Sequence, residues 1–304
     1  MQMYVGITDR NWYEQLKEAR ADEVNFWKPG TTPFRALTPG EMFLFKLHSP
    51  HNFIVGGGFF VRYSLLPTFL AWEAFEKKNG VRSLGEFNAR ISKYRNNCNI
   101  EPSTEVGCII LTDCFWLEEY EWIPIPENWS KNIVSGRCYT DADSYGNQLF
   151  SAVQDRLIRH TSSNTLLAEQ QERYSTGIAR HRLGQGAFRI LVTDAYQRRC
   201  AITGEKTLPV LEAAHIKPYA EEGPHSVNNG ILLKSDFHTL YDNGYMTITP
   251  DFHIEVSRKL HEDYGNGKDY YKYHGSKLLI LPGTVSQRPS AEYLDWHNQN
   301  VYLG

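Results

Sequence analysis

A chain of 304 residues, 41% hydrophobic and 22% charged, has room for about two domains and the composition of a folded globular protein. A net charge of −3 argues against the uniformly basic class of nucleic-acid binders, so any phosphate contact must come from a local basic patch. No apolar run reaches the length of a membrane span, the opening MQMYVGITDRNWYEQL lacks a signal-peptide core, and five cysteines without metal-ligand spacing (Cys98, Cys108, Cys114, Cys138, Cys200) suit a reducing compartment. The expectation is therefore a cytoplasmic protein with no membrane attachment.

The first part of the chain, to about Asp143, is rich in strands and aromatics. GEMFLFKLHSP and NFIVGGGFFVRYSLL read as two β-rich runs joined by a turn over Ser49 to Asn52. LAWEAFEKKNG reads as a short helix closed by Gly80. SLGEFNARISKYR reads as a second helix, with Ser83 as N-cap and Glu86 at the capping-box position. GCIILTDCFWL predicts a buried strand, and WIPIPENW an extended segment broken by proline. The order of these pieces resembles the EVE-like and ASCH-like branches of the PUA superfamily over roughly residues 2 to 140. The residues that carry the resemblance are Asn25-Phe26-Trp27, LTPGEMFLFKL, IVGGGFF and LAWEAF with Trp72. It implies a small, bent β-barrel with flanking helices, several of which bind a flipped, modified base among aromatics. Stacking on an aromatic face recovers on the order of 1–3 kcal/mol per base. The candidate pocket residues are Phe26, Trp27, His48, Ser49 and Asn52, with Gly56 to Gly58 allowing close backbone approach. Each aromatic among them taken singly reads more readily as ordinary core than as part of a base cage.

Residues 144 to 183 form a linker between the halves. YGNQLFSAVQDRLIRH predicts a helix with an apolar stripe at Leu149, Val153 and Leu157. HTSSNT reads as a turn, and LLAEQQERY as a further short helix. From Arg156 to Lys206 the local balance is +5, so this segment could lay cations along a DNA backbone, with Arg189, Arg198 and Arg199 as the candidates nearest the next domain. A helix over about Ala187 to Tyr196 then leads to Cys200.

The stretch from Cys200 to Asp242 carries the chemistry. His215 ends an apolar run at AAHI, Asn229 opens a second one at NGILL, and His238 and Asp242 follow in KSDFHTLYD. Hydrolysis of a phosphodiester needs a deprotonated water, a cation on the developing charge and a stabilised leaving oxygen. A neutral imidazole can take the water's proton, and a strand such as VLEAAHI aims it rigidly. KSDFHTLYD reads as a helix start capped by Ser235 or Asp236, which puts His238 and Asp242 one turn apart on one face. An imidazole and a carboxylate so placed can share a divalent ion.

These motifs and their order resemble the HNH nuclease family, whose fold is two strands and a helix around one metal ion. The resemblance implies His215 as general base and Asn229 as the residue that holds the hairpin and orients it. It implies His238 and Asp242 as ligands of one Mg²⁺ or Mn²⁺, with His238 counted in the catalytic set. Many members carry Asp or His just before the catalytic histidine. Here that residue is Ala214, so Asp236 or Glu212 is the candidate for support of the shell. Many members also hold a structural zinc with two CxxC pairs. Here Thr203, Lys234 and Phe237 stand where further thiols would fall, so no structural zinc is expected. The other histidines, His225 and His297 among them, have no partner at useful spacing. GYMTITPDFHIEVS predicts a hairpin turning at Pro250-Asp251, YHGSKLLILP a strand, and AEYLDWHNQNVYL a terminal helix with Trp296 on its packing face.

The expected protein is α+β: a PUA-like recognition domain over 1–143, a helical linker over 144–183 and an HNH nuclease domain over 184–304. Its expected partner is double-stranded DNA carrying modified cytosine, cut as foreign DNA, and double-strand cleavage by one site per chain would favour a homodimer. Three alternatives stay open: a nuclease effector whose first domain senses a ligand or protein, a DNA-binding module without catalysis, and an RNA substrate.

Overall fold

The computed structural model describes residues 1–95, 100–162 and 183–304. The helix expected over LLAEQQERY, the second half of HTSSNT and part of the basic stretch between Arg156 and Lys206 lie outside the described residues; the first half of HTSSNT, expected as a turn, is helical. The chain divides into two compact units, Met1–Ala187 and Phe188–Gly304. Among the described residues no helix is long and apolar enough to cross a membrane.

The first unit is built on a seven-stranded mixed sheet. Its strands are β1 (Gln2–Thr8), β2 (Val24–Lys28), β3 (Met42–Leu47), β4 (Phe53–Pro67), β5 (Glu105–Trp116), β6 (Ile123–Pro124) and β7 (Gly136–Thr140). Their order is β2-β5-β4-β3-β1-β7, with β6 paired to β4 and only β1 and β3 parallel. The two ends of this path, β2 and β7, do not pair. The sheet is therefore open, and the closed barrel implied by the PUA-like resemblance is not what the pairing forms.

Strand β3 explains how the sheet is covered. MFLFKL is buried along its whole length, so both faces need partners. Phe43, Phe45 and Leu47 face a cluster with Trp12, Tyr13 and Leu16 of helix α1 (Arg10–Glu18). Met42 and Leu44 face a second cluster with Leu149, Val153 and Leu157 of helix α4 (Ser144–Ser162), the stripe expected from sequence. Helices α2 (Thr68–Phe75) and α3 (Leu84–Arg95) fall where the sequence places them. Gly80 closes the turn after α2 at φ +71°, and Ser83 Oγ accepts from the Glu86 N–H at 3.2 Å.

Glycines Gly56 to Gly58 serve the sheet itself. A Cβ on Gly56 would strike the Phe115 carbonyl, one on Gly57 the Phe43 carbonyl at 2.7 Å, and one on Gly58 the Cys114 Sγ at 2.8 Å. Their small size lets β3 and β5 close on β4, where the register shifts between Gly57 and Phe59.

The second unit gathers around one core. Helix α5 (Gln185–Ala195) contributes Phe188 and Val192 to it. Strands β8 (Leu211–His215) and β9 (Gly230–Lys234) pair antiparallel, with Leu211 opposite Lys234 and His215 opposite Gly230. Helix α6 (Ser235–Asp242) follows β9 directly. It starts at Ser235 behind Lys234 with no side-chain cap bond, so neither Ser235 nor Asp236 caps it as expected. Strands β10 (Met246–Ile248) and β11 (Ile254–Val256) form the expected hairpin. Two short helices, α7 (Lys259–Tyr264) and α8 (Lys268–Tyr271), come next, and α9 (Ala291–Asn300) ends the unit.

YHGSKLLILP is not a strand. Lys277 makes an isolated bridge to His253, and the N–H groups of Leu279 and Ile280 both donate to the Ala201 carbonyl, which leaves no ladder to extend. On α9 the buried residues are Leu294 and His297, while Trp296 is half-buried beneath the Lys217 ammonium. His297 is no idle surface histidine. It stacks on Tyr241 at 3.7 Å, donates from Nε2 to the Tyr241 carbonyl at 3.1 Å, and accepts at Nδ1 from Thr247 Oγ1 at 2.8 Å.

Candidate active site

His215 sits at the last position of β8, half-buried, with its ring stacked on Phe188 at 3.9 Å and 12°. Burial, with His225 and His238 nearby, pulls its imidazole down to about 4 against a smaller opposing effect of Asp242. It is therefore neutral near pH 7 and keeps a lone pair able to take a proton.

Asn229 is fully buried at the other end of the connection between the two strands. Its Oδ1 accepts from the Lys217 N–H at 2.9 Å, and its Nδ2 donates to the carbonyls of Lys217 at 2.9 Å and Pro224 at 3.0 Å. Its own carbonyl accepts from the Ile216 N–H at 3.0 Å. The amide thus ties down the chain just past His215 and holds the loop, and no hydrogen bond from its side chain to the His215 ring is among these.

His238, on α6, lies between two carboxylates. Its Nδ1 meets Glu212 Oε2 at 2.6 Å and its Nε2 meets Asp242 Oδ2 at 3.2 Å. Burial would lower its pKa, but the hydrogen bonds to Asp242 and Glu212 outweigh that and raise it. Glu212 lies two residues before Ala214 on the same strand face, so β8 brings a carboxylate to His238 although Ala214 has none. Asp236 is placed otherwise: its Oδ2 pairs with Lys234 Nζ at 3.2 Å.

His238 and Asp242, with Glu212 beside them, offer an imidazole nitrogen and carboxylate oxygens one helical turn apart. That donor chemistry fits a divalent ion that keeps most of its water shell. Among the described residues no group of three or more His, Cys, Asp or Glu stands ready to hold a metal.

Residues 200–249 match the HNH endonuclease family. The second unit contains an HNH endonuclease domain. The protein is accordingly a nuclease, with phosphodiester hydrolysis as its chemistry. No curated protein matches the chain. Among solved structures, one titled "Modification dependent TagI restriction endonuclease" aligns over 92% of this chain and 76% of its own at 12% identity, with a TM-score of 0.30. A superposition that loose constrains neither fold nor substrate.

Around the HNH domain the structure adds one residue that sequence reading passed over. His225 Nδ1 lies 2.9 Å from His215 Nε2, and Tyr219 stacks on the far ring at 4.7 Å and 7°. Ten residues separate the two histidines along a loop with no periodic pattern. The only sequence signal was proximity to Asn229, whose side chain fixes the adjacent Pro224.

The basic candidates are engaged within the protein. Arg198 Nε faces Asp194 Oδ1 at 3.4 Å, Arg199 Nε donates to the Gly204 carbonyl at 3.5 Å, and Arg189 is a half-buried residue of α5. In the first unit, Phe26 and Trp27 are neighbours on β2 and so take opposite faces. Phe26 packs on Phe43 at 4.7 Å and Trp12 at 5.4 Å. Trp27 packs on Phe87 at 5.2 Å and donates from Nε1 to the Asn79 carbonyl at 3.0 Å. His48, Ser49 and Asn52 lie in the β3–β4 turn, where Asn52 Oδ1 accepts from the buried Lys46 Nζ at 2.9 Å. Phe26 pairs with Ile109, which pairs with Tyr63, ten positions along β4 from the turn. The structure thus spreads these five residues over two strand faces and a distant turn.

Proposed function

We propose that this protein is a metal-dependent DNA endonuclease that cuts DNA carrying modified cytosine, with the first unit reading the modified base. The observation that carries the nuclease mechanism is the neutral His215 beside the His238–Asp242 pair. His215 takes the proton of a water, and the resulting hydroxide attacks phosphorus. Asp242 lies close enough to favour the imidazolium that forms. His238 and Asp242 would hold one Mg²⁺ or Mn²⁺, which polarises the phosphate and steadies the leaving 3′ oxygen when bound. Asn229 keeps the strand exit in place, and Glu212 orients His238 from its other nitrogen.

The basic side chains Arg189, Arg198 and Arg199 would position the DNA backbone. Base reading and restriction of foreign DNA rest on the PUA-like resemblance of residues 2 to 140. Trp27 is the residue to probe, because it is half-buried on the edge strand β2. Double-strand cleavage with one site per chain calls for two copies. The division of labour follows 1–143, 144–183 and 184–304.

The test is cleavage of three matched duplexes, with cytosine, 5-methylcytosine and 5-hydroxymethylcytosine, in Mg²⁺ or Mn²⁺. Cutting of a modified duplex alone, lost in His215→Ala and made indiscriminate in a folded Trp27→Ala, supports the whole reading. Equal cutting of all three removes base reading and keeps the nuclease. Cutting retained by His215→Ala removes the general base.

A further inference from the structure

We propose that His225 is a positioning residue for the His215 base: it accepts the His215 Nε2–H, so that Nδ1 is the nitrogen that takes the water's proton. This rests on the general-base reading of His215.

His215 Nε2 and His225 Nδ1 are 2.9 Å apart, a hydrogen bond that needs one donor and one acceptor. A nitrogen already bonded to His225 cannot also meet the attacking water, so the lone pair that does chemistry belongs to Nδ1. The proton of neutral His215 must then sit on Nε2, and His225 Nδ1 must accept it. The opposite assignment, with His225 donating, would put the proton on His215 Nδ1 and leave no basic nitrogen for water. When Nδ1 takes a proton from water, an O–H bond breaks and an N–H bond forms. The imidazolium keeps its Nε2–H bonded to His225 throughout.

The surroundings hold this pair in place. Phe188 lies flat against the His215 ring, and Tyr219 lies flat against His225. Pro224, next to His225, is bound through its carbonyl by Asn229, and so is Lys217, two residues beyond His215. One buried amide therefore sets both histidines. This gives Asn229 a route to orienting the base without touching it. A histidine whose tautomer is fixed by a hydrogen bond at its other nitrogen is the usual arrangement where one nitrogen must act.

The experiment uses the full chain and two variants. His225→Phe keeps a ring for Tyr219 but removes the acceptor. His225→Asn keeps an acceptor near the Nδ1 position. Long-range ¹H–¹⁵N spectra of histidine-labelled protein at pH 7 should give the Nε2–H tautomer for His215 in the wild type and in His225→Asn, and a mixture in His225→Phe. Single-turnover cleavage of the best duplex in Mn²⁺ should fall about ten- to hundredfold in His225→Phe, recover in His225→Asn, and leave DNA affinity unchanged in both.

An Nδ1–H tautomer in the wild type overturns the proposal, and so does a His225→Phe rate equal to wild type while His215→Ala is inactive. Activity surviving in His215→Ala strikes the general-base reading instead. The spectra still decide the tautomer if no duplex is cut.

Discussion

At the scale of single residues, two histidines of the second unit share a depressed pKa and differ in use. His297 is buried, satisfied at both nitrogens and pulled down to about 4 by its burial. Unfolding restores its ordinary value near 6.5, so the unfolded chain binds the extra proton between those two values. Stability contributed by the neutral ring is present above pH 6.5 and is lost as pH falls towards 4, by up to about 3 kcal/mol. Urea midpoints measured between pH 7 and 4 should fall less steeply in His297→Gln than in the wild type. His215 has the same low value but is half-buried at the end of β8 near His238 and Asp242, where in the proposed mechanism its neutrality would serve proton transfer. In the proposed mechanism Asp242 would supply one of the two side chains offered to the ion. Asp242→Ala should raise the Mn²⁺ concentration for half-maximal cleavage about tenfold or more; an unchanged titration would remove Asp242 from the shell.

Elements were legible in the sequence where burial imposes a period. The stripe Leu149–Val153–Leu157, the Gly80 stop and the β10–β11 hairpin all appear as read. AAHI, NGILL and KSDFHTLYD become β8, β9 and α6 because apolar runs bounded by polar residues leave little choice. What failed depended on tertiary partners that no local pattern reveals. YHGSKLLILP looks like a strand but finds only an isolated bridge and the Ala201 carbonyl. His225 reaches His215 only through a loop path that Asn229 fixes. Gly56 to Gly58 read as room for a ligand and turn out to make room for β3 and β5. Gly57→Ala should therefore destabilise the first unit by about 2 kcal/mol, since its Cβ would press on the Phe43 carbonyl, which cannot swing away as a side chain can. Thermal unfolding of the variant measures it, and an unchanged midpoint would show that β3 yields.

For the whole molecule, the sequence indicated a division into two parts and a nuclease in the second, and the match over residues 200–249 carries the latter. The architecture of the first part was less legible. Its sheet stays open between β2 and β7, and the pairing of β1 with β3 and β7 joins strands about 35 and 130 residues apart, beyond any local pattern. If the proposed division of labour holds, a fragment of residues 184–304 should fold cooperatively, bind Mn²⁺ and nick DNA without regard to cytosine modification. Circular dichroism and a plasmid-nicking assay test this. A fragment that folds yet discriminates between duplexes would move base reading into the second unit.

The Asn229 side chain has one more effect, on motion. By bonding Lys217 on both its N–H and its carbonyl, it closes residues 217–229 into a ring whose clasp is non-covalent and fully buried. A clasped ring cannot fray from one end as an ordinary surface connection does, because releasing any part means opening a buried amide. The Lys217 amide hydrogen should accordingly exchange with solvent as slowly as those of β8 and β9, by unfolding of the whole unit. Exchange on the timescale of an exposed loop would mean that the clasp opens alone.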